Sequence, residues 1–314
     1  MTFALGTFSA TDGVRFVGIV RDERVVRFDG APSVLALLQD WEAGLPALHR
    51  AADTAQFDEG VPMAELRVHP PVDLPRQLFF TGANYRKHVV DLTIDQNVGP
   101  EGLSGDALRR WAEQMMDERA ATGVPYSFLK APSSIIGAFD DLVLPQTTTK
   151  PDWELELGVV IGRGGRNIAR SDAMVHVAGY AIVNDVSARD LIQRTDYAML
   201  GTDWLRGKSQ PTFCPFGPLL RPAEFVADPH DLRLLLTLNG QPMQDESTAD
   251  MLFDIARQIE YVSTYAELWP GDLISTGSPA GNGTHYGRFL RDGDVVEATI
   301  TGLGTQRNRC VGAA

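Results

Sequence analysis

The sequence is short of cysteine, of basic charge and of long apolar runs. Its two cysteines, Cys214 and Cys310, cannot form a disulfide framework, and their spacing is not that of a zinc site. Lys and Arg total 28 against 41 Asp and Glu, a formal net charge of -13, which argues against nucleic-acid binding and against docking on an anionic membrane. No apolar stretch approaches the ~18 residues of a spanning helix, and the N-terminus has no basic region like that of a signal peptide. We therefore expect a soluble, cytoplasmic protein without nucleic-acid or membrane partners.

What the sequence does contain is typical of a globular chain with many turns. Hydrophobic residues make up 44% and charged residues 22% of the chain, with 30 glycines and 19 prolines. A length of 314 residues suggests two domains, and the proline-rich stretch VHPPVDLPRQ, residues 68–77, is the best candidate for a linker. We predict a small N-terminal α/β domain over residues 1–72 and a larger domain over residues 73–314.

Alternating apolar and polar residues predict many strands. Residues 3–29 show this alternation between turn signals and are predicted to form β-hairpins. Six later segments show strand patterns: DLVLP, ELELGVVIG, VAGYAIVND, LRLLLTLNG, GDLISTG and DVVEATITG. Strands joined by turns, with few long helices, predict a mostly β, α+β fold of the sandwich or roll type and not a doubly wound sheet.

Three segments have helical periodicity. Residues 33–55 carry apolar residues at helical spacing, and we expect a break near Gly44 and Pro46. A strongly amphipathic helix is predicted over residues 105–121. Another is predicted over residues 247–267, with its first residue, a serine, as the N-cap.

The most informative segment is DWELELGVVIG, residues 152–162. In a strand, Asp152, Glu154 and Glu156 would share one face. Carboxylates two residues apart on one face lie about 7 Å apart and repel each other when both are ionised. On an exposed face, water would screen this repulsion. The apolar GVVIG that follows instead indicates a partly enclosed pair of carboxylates, whose charge a hard cation such as Mg²⁺ would neutralise. Spacing alone leaves both interpretations open.

Two further polar groups allow a functional and a structural interpretation. Asp185 ends the apolar run GYAIVND, where it is either a turn former or a third metal ligand. Arg189 would then face either the neighbouring Asp190 or an anionic substrate. His88 and Asp91 would share one face of a helical turn, which is how a carboxylate orients a general base, although such pairs are also common without a function.

Taken in order, seven segments resemble the fumarylacetoacetate hydrolase family. They are GANYRKH, KAPSSIIG, DWELELGVVIG, GYAIVNDVSARD, WLRGKSQPTFCPFGP, LNGQPMQD and PGDLISTGSPAGNG, and they are spread along residues 78–283. The resemblance implies a mixed β-sandwich roll with a divalent-metal site, usually in a homodimer. Residues 1–72 resemble the small variable N-terminal domain of longer members.

The resemblance also implies roles for individual side chains. The ligands of the metal, Mg²⁺ or Mn²⁺ with Ca²⁺ as an alternative, would be Glu154, Glu156 and Asp185. The catalytic residues would be His88, Asp91 and Lys208. The substrate-binding residues would be Tyr85, Arg189, Gln193 and Ser278, although the glutamine stands one position later than is common in the family.

We therefore expect a hydrolase that cleaves a carbon–carbon bond in a 1,3-dioxo compound, such as a 2,4-dioxo acid resembling an acylpyruvate. His88, oriented by Asp91, would activate water, and the enolate left by cleavage would be stabilised by the metal and Lys208. The alternative is a 2-oxo acid decarboxylase of the oxaloacetate type or a keto–enol tautomerase, which needs no attacking water. Residues 92–129 form a segment longer than in compact members, either a docked surface helix or a lid-like extension over the substrate.

Overall fold

The first part of the chain forms a five-stranded antiparallel sheet with two helices. The computed structural model describes residues 2–313. The elements of this part are β1 (Ala4–Ser9), β2 (Arg15–Arg21), β3 (Arg24–Phe28), α1 (Val34–Gln39), α2 (Trp41–Thr54), β4 (Val61–Pro62) and β5 (Arg67–His69). The strand order is β4-β3-β2-β1-β5. The predicted hairpins of residues 3–29 are confirmed as β1, β2 and β3.

The helical segment after β3 is interrupted at Asp40 and not at Gly44 or Pro46. The Asp40 carboxylate caps α2 by accepting a hydrogen bond from the Ala43 N–H at 3.3 Å. Gly44 and Pro46 both lie inside α2. A Cβ at Gly44 would come within 3.1 Å of the Leu37 carbonyl oxygen, so the glycine allows α2 to approach α1. The predicted break is wrong because packing of the buried face outweighs local helix propensity.

In the described residues, the rest of the chain supplies a six-stranded sheet, a second five-stranded sheet, two two-stranded sheets and six α-helices. The elements up to residue 192 are β6 (Leu78–Gly82), α3 (Arg86–Asp95), α4 (Gly105–Thr122), β7 (Tyr126–Leu129), β8 (Ile135–Ile136), β9 (Leu142–Leu144), β10 (Pro151–Asp152), β11 (Leu155–Ile161), β12 (Val177–Asn184), β13 (Ser187–Ala188) and α5 (Arg189–Ile192). They are followed by α6 (Trp204–Lys208), β14 (Cys214–Pro215), β15 (Arg221–Pro222), β16 (Arg233–Leu238), β17 (Gln241–Ser247), α7 (Ile255–Tyr265), β18 (Leu273–Ser275), α8 (Gly283–Tyr286), β19 (Val295–Ile300) and β20 (Gly304–Gly312).

Two sheets face each other across the main core. The first has six strands in the order β15-β12-β11-β18-β6-β7, and the second has five in the order β17-β16-β19-β20-β9. The first is mixed, since β18 and β6 run parallel. Alternate β11 residues such as Leu155 and Leu157 point into this core, which α7 also lines through Ile259. The predicted α+β sandwich is confirmed.

The N-terminal sheet and helices cover the other face of the six-stranded sheet. Phe3 and Leu5 belong to the same apolar cluster as Phe80 and Val160. Residues 70–77, within the predicted linker, contain no helix or strand. A domain boundary at residue 72 stays a prediction.

The helix predicted over residues 247–267 begins later than expected. The hydroxyl of Ser247 caps a short 3-10 turn, and α7 begins only after Asp254, whose carboxylate accepts from the Arg257 N–H at 2.8 Å. Thr248 is buried and exchanges two hydrogen bonds of 2.9 Å with Leu232. These bonds tie residue 248 to the chain entering β16, which prevents a helix from starting there.

The helix predicted over residues 105–121 is confirmed as α4, and it packs on α3. Val90 of α3 and Ala112 and Met116 of α4 form a buried cluster, against which Trp111 is partly buried. Arg86 of α3 donates two hydrogen bonds, of 2.8 and 3.1 Å, to Asp117 of α4. Among residues 2–313, no helix combines the length and the apolar character needed to cross a bilayer.

Candidate metal and catalytic site

The site lies where β11 begins and where β12, β18 and β6 end. Glu154 and Glu156 stand at the start of β11, and antiparallel pairing places them beside the end of β12, which Asp185 follows. The Asp185 N–H donates to the Glu154 carbonyl oxygen at 2.8 Å. Beyond β6 the chain turns into α3, which brings Tyr85 and His88 to the same edge of the sheet.

The three carboxylates converge in the interior. Glu154, Glu156 and Asp185 are 6%, 2% and 1% exposed, and one oxygen of each lies within 4.8 Å of the others. Such a set of oxygen donors suits the hard cations Mg²⁺, Mn²⁺ and Ca²⁺. The hydroxyl of Tyr85 is also buried without a hydrogen-bond partner among residues 2–313. Burial raises the pKa of Tyr85, and the Glu156 charge raises it further. The residues present therefore fit a divalent-metal site.

Three cations, Lys208, Arg189 and Lys130, balance this negative charge. Lys208 Nζ donates to Glu154 Oε2 and to Asp185 Oδ2. Arg189 donates to Glu154 Oε1 and, from Nε, to Asp152 Oδ2 at 2.8 Å. Burial alone would raise the pKa of Glu154, but Arg189 and Lys208 lower it below its ordinary value. The pKa of Lys208 is raised although burial opposes this, because Asp185 and Glu154 surround its ammonium.

Lys130 holds the remaining oxygen of Asp185. Its Nζ donates to Asp185 Oδ1 at 2.6 Å and to the carbonyl oxygens of Val186 and Phe213 at 3.1 and 2.6 Å. Asp185 is therefore fixed between two lysines, since its Oδ1 binds the Lys130 ammonium and its Oδ2 binds the Lys208 ammonium.

Glu156 lies in a different environment from Glu154. Its Oε2 accepts from Ser275 Oγ at 2.5 Å and from the Gly277 N–H at 2.9 Å. Gly277 has a φ of 96°, and a Cβ there would lie 2.9 Å from the Thr81 carbonyl oxygen, so a glycine is needed to present this N–H. Burial, Asp185 and Glu154 raise the pKa of Glu156 well above its ordinary value. A bound cation would favour its ionised form.

His88 lies near the carboxylates but does not contact Asp91. The imidazole is 8% exposed, and burial lowers its pKa to about 4. Asp91 Oδ1 instead lies 3.5 Å from an Arg109 guanidinium nitrogen of α4, and no ion pair or hydrogen bond joins it to His88 in the part of the chain that the structure describes. One turn further along α3, Asp95 pairs with His285 of α8 at 2.7 Å.

The expected substrate-binding residues lie in different surroundings. Ser278 is buried next to Gly277, whose N–H binds Glu156, and the Ser278 Oγ accepts from Gln244 Nε2 at 2.9 Å. Tyr85 is fully buried at the start of α3. The guanidinium of Arg189 is bound to carboxylates, as described. Gln193 is exposed at the base of a hairpin, where it pairs through the backbone with Thr202, so the structure does not bring it to the site.

Sequence reasoning missed Lys130 and the position of Asp152. Asp152 was expected on the face of Glu154 and Glu156, but it belongs to β10 and accepts hydrogen bonds from the Gly283 and Thr284 N–H groups at the start of α8. It orients Arg189 and lies outside the metal triad. A lysine at the end of the apolar strand YSFL was the available signal for a buried cation at position 130.

The chain belongs to the fumarylacetoacetate hydrolase family. The model described as fumarylacetoacetate (FAA) hydrolase C-terminal matches residues 77–311, and this confirms the resemblance seen in the motifs. Relatives of the chain are named as hydrolases, isomerases and tautomerases.

Three similar proteins illustrate this range. The human protein named oxaloacetate tautomerase FAHD2B, mitochondrial, is 37% identical over 276 residues, which cover 87% of this chain and 78% of the relative. The 2,4-didehydro-3-deoxy-L-rhamnonate hydrolase of Sphingomonas sp. (strain SKA58) is 46% identical over 188 residues, 59% of this chain and 64% of that protein. The structure of maleylpyruvate hydrolase from Sphingobium sp. SYK-6 in complex with manganese (II) ion and pyruvate has a TM-score of 0.74 at 25% identity, covering 99% of this chain and 100% of that one.

Proposed function

We propose that this protein is a divalent-metal-dependent enzyme that hydrolyses a carbon–carbon bond of a 2,4-dioxo acid. The observation that carries the proposal is the buried triad of Glu154, Glu156 and Asp185, with Lys208 bonded to it and His88 nearby. Two similar proteins named as hydrolases, one of them solved with manganese and pyruvate, support it. Mg²⁺ or Mn²⁺ bound to the triad would supply Lewis-acid polarisation of the substrate oxygens.

The side chains divide the remaining work. His88 is neutral at pH 7 because its pKa is about 4, so it has a free nitrogen that can accept a proton from water. The water oxygen adds to the distal carbonyl, the carbon–carbon bond breaks, and the products are a carboxylic acid and the enolate of a 2-oxo acid. Lys208 places a positive charge beside the developing enolate oxygen. Tyr85, Arg189 and Ser278 are proposed to contact the substrate, and orientation of His88 by Asp91 stays a prediction.

Oxaloacetate tautomerisation is the second candidate, and two observations favour it. The human relative is named for this activity. In this chain Asp91 pairs with Arg109 and leaves the imidazole of His88 without a carboxylate partner in the described structure. A tautomerase needs only proton transfer between carbon and oxygen, so it does not require an activated water.

Product analysis separates the two functions. The protein loaded with Mg²⁺ or Mn²⁺ would be incubated with acylpyruvates, a sugar-derived diketo acid and oxaloacetate, and the products followed by mass spectrometry and by enol absorbance. A hydrolase releases a 2-oxo acid and a second acid from the diketo substrates. If only the keto–enol ratio of oxaloacetate changes, the hydrolase proposal is wrong and the tautomerase is supported.

The metal requirement is tested with Glu156→Gln. This variant keeps the shape of the side chain but removes one anionic ligand, so we expect loss of Mn²⁺ binding by calorimetry and of most turnover with the fold intact. Glu246→Gln is the matched control, because Glu246 pairs with Lys87 outside the triad. Full turnover by Glu156→Gln after chelation and readdition of metal would contradict the site assignment.

A homodimer is proposed as the working form. Leu205 of α6, 70% exposed, and Leu129 of β7, 58% exposed, flank the contact of Tyr126 with Trp204, whose rings lie 5.8 Å apart. A second copy would cover this apolar surface. Leu205→Glu should give a monomer by light scattering, whereas Leu74→Glu, at a similarly exposed leucine, should not. Equal behaviour of the two variants would refute the assignment of this surface to the dimer interface.

The cytoplasmic location stays a prediction, and the human relative is named as mitochondrial.

A further inference from the structure

Lys208 differs from the other cations of the site in what it binds. Lys130 is anchored by two backbone carbonyl oxygens as well as by Asp185. Arg189 is anchored by Asp152, which lies outside the triad. In the described structure the hydrogen bonds of the Lys208 ammonium go to Glu154 Oε2 and Asp185 Oδ2 alone. Both of these oxygens belong to proposed metal ligands.

The same two oxygens are the ones that neither Arg189 nor Lys130 holds, although Glu154 Oε2 also accepts a longer hydrogen bond, of 3.3 Å, from Ser187 Oγ. Glu154 Oε1 is held by Arg189, and Asp185 Oδ1 is held by Lys130. A divalent cation on Glu154 Oε2 and Asp185 Oδ2 would stand only a few ångströms from an ammonium bonded to the same atoms. Charges this close repel strongly where little water screens them.

We propose that Lys208 is an exchangeable counter-ion of the metal site. Its ammonium holds Glu154 and Asp185 together until a divalent cation binds, and it then gives up at least one of these oxygens. The ammonium freed in this way offers its donors to the anionic substrate beside the metal. Binding of the metal would thus free a carboxylate oxygen for the cation and, in the same step, make the Lys208 ammonium available to the anionic substrate. This inference rests on the proposed metal-dependent function.

The side chain and its position suit such an exchange. Lysine carries a compact charge on a flexible stem with three donors, whereas a guanidinium would stay fixed by its planar geometry. Lys208 ends the five-residue helix α6, and its Nζ lies 5.3 Å from the centre of the Phe128 ring. The ring face gives the ammonium a favourable contact while it changes partners.

Calorimetric titration with Mn²⁺, without substrate, tests the exchange. Lys208→Met removes the competing charge at nearly constant length, so we expect Mn²⁺ to bind at least about tenfold more tightly than to the natural chain, the scale of one charge-assisted hydrogen bond. Lys150→Met is the control, because Lys150 is exposed and, in the described structure, donates no hydrogen bond to the triad. The affinity of this variant for Mn²⁺ should change by less than about twofold. Unchanged or weaker binding by Lys208→Met, or equal tightening in both variants, would overturn the inference.

A crystal structure of the natural protein with Mn²⁺ gives a second readout that needs no variant. We expect Lys208 Nζ to be beyond hydrogen-bond distance of Glu154 Oε2, Asp185 Oδ2 or both. An ammonium still bonded to both oxygens beside a bound Mn²⁺ would overturn the exchange and leave the proposed function standing. A natural chain that binds no Mn²⁺ would overturn the proposed function, and the exchange with it.

Discussion

Replacing Lys130 by methionine tests how strongly the second lysine stabilises the site. The side chain is fully buried, and its ammonium donates to Asp185 Oδ1 and to two backbone carbonyl oxygens. Methionine preserves the unbranched shape but leaves the Asp185 oxygen and both carbonyls without this donor. Breaking a buried ion pair by removing one partner costs about 3–5 kcal/mol, so we expect a loss of that size in the free energy of unfolding.

A double-mutant cycle assigns this loss to the Lys130–Asp185 pair. Asp185→Asn alone leaves the Lys130 charge buried without its carboxylate, whereas the double variant removes both charges. The double variant should therefore lose at least about 2 kcal/mol less than the sum of the single variants. Urea unfolding followed by circular dichroism, with chelator present throughout, measures each value. Lys150→Met, at an exposed lysine, should change stability by less than about 0.5 kcal/mol.

Two results would refute this reasoning about Lys130. Additive losses would mean that Lys130 and Asp185 do not stabilise each other. A loss below about 1 kcal/mol in Lys130→Met would mean that water or another donor replaces the ammonium.

Three further predictions concern the helices beside the site. His88→Ala should lower hydrolysis by about 10²-fold or more, the scale of general-base loss, and equal loss of hydrolysis and tautomerisation in kinetic assays would contradict a water-activating role. Burial lowers the pKa of His88 from its ordinary value of 6.5 to about 4 in the folded chain, so between these values the unfolded chain binds more protons than the folded chain. The neutral buried imidazole therefore costs no stability above pH 6.5, and the free energy of unfolding falls by about 3 kcal/mol as the pH drops to 4. His88→Asn should flatten that slope in urea titrations, and parallel curves would show that other groups cause it. Trp111→Ala should reduce turnover of a bulky diketo acid more than that of a small acylpyruvate if α4 covers the substrate, whereas uniform losses across substrate sizes would support a docked surface helix.

Much of the candidate metal site could be predicted from the sequence because short-range pattern and pairing determine it. The alternation in ELELGVVIG identifies β11 and its polar start, and the run GYAIVND identifies β12 with Asp185 at its end. Antiparallel pairing then brings Asp185 beside Glu154. The motif resemblance supplied the grouping of these residues, which spacing alone did not decide.

Partners from distant segments could not be predicted in the same way. A spacing of three residues places His88 and Asp91 on one side of α3, but it cannot show that Arg109 of another helix binds Asp91. The partners of Lys130 lie 55 to 83 residues further along the chain. The late start of α7 depends on hydrogen bonds between Thr248 and Leu232, which belong to the sheet and not to the helix pattern.

The apolar cluster that joins Phe3 and Leu5 to Val160 makes the N-terminal sheet and helices a cover for one face of the six-stranded sheet. Val160 lies four residues beyond Glu156 on β11 and points to the same side of the strand. A chain without the N-terminal sheet and helices would thus expose to water the side of β11 that carries Glu156, a proposed metal ligand. Sequence changes in the N-terminal part must remain compatible with this face of the six-stranded sheet, which couples the evolution of the two parts of the chain.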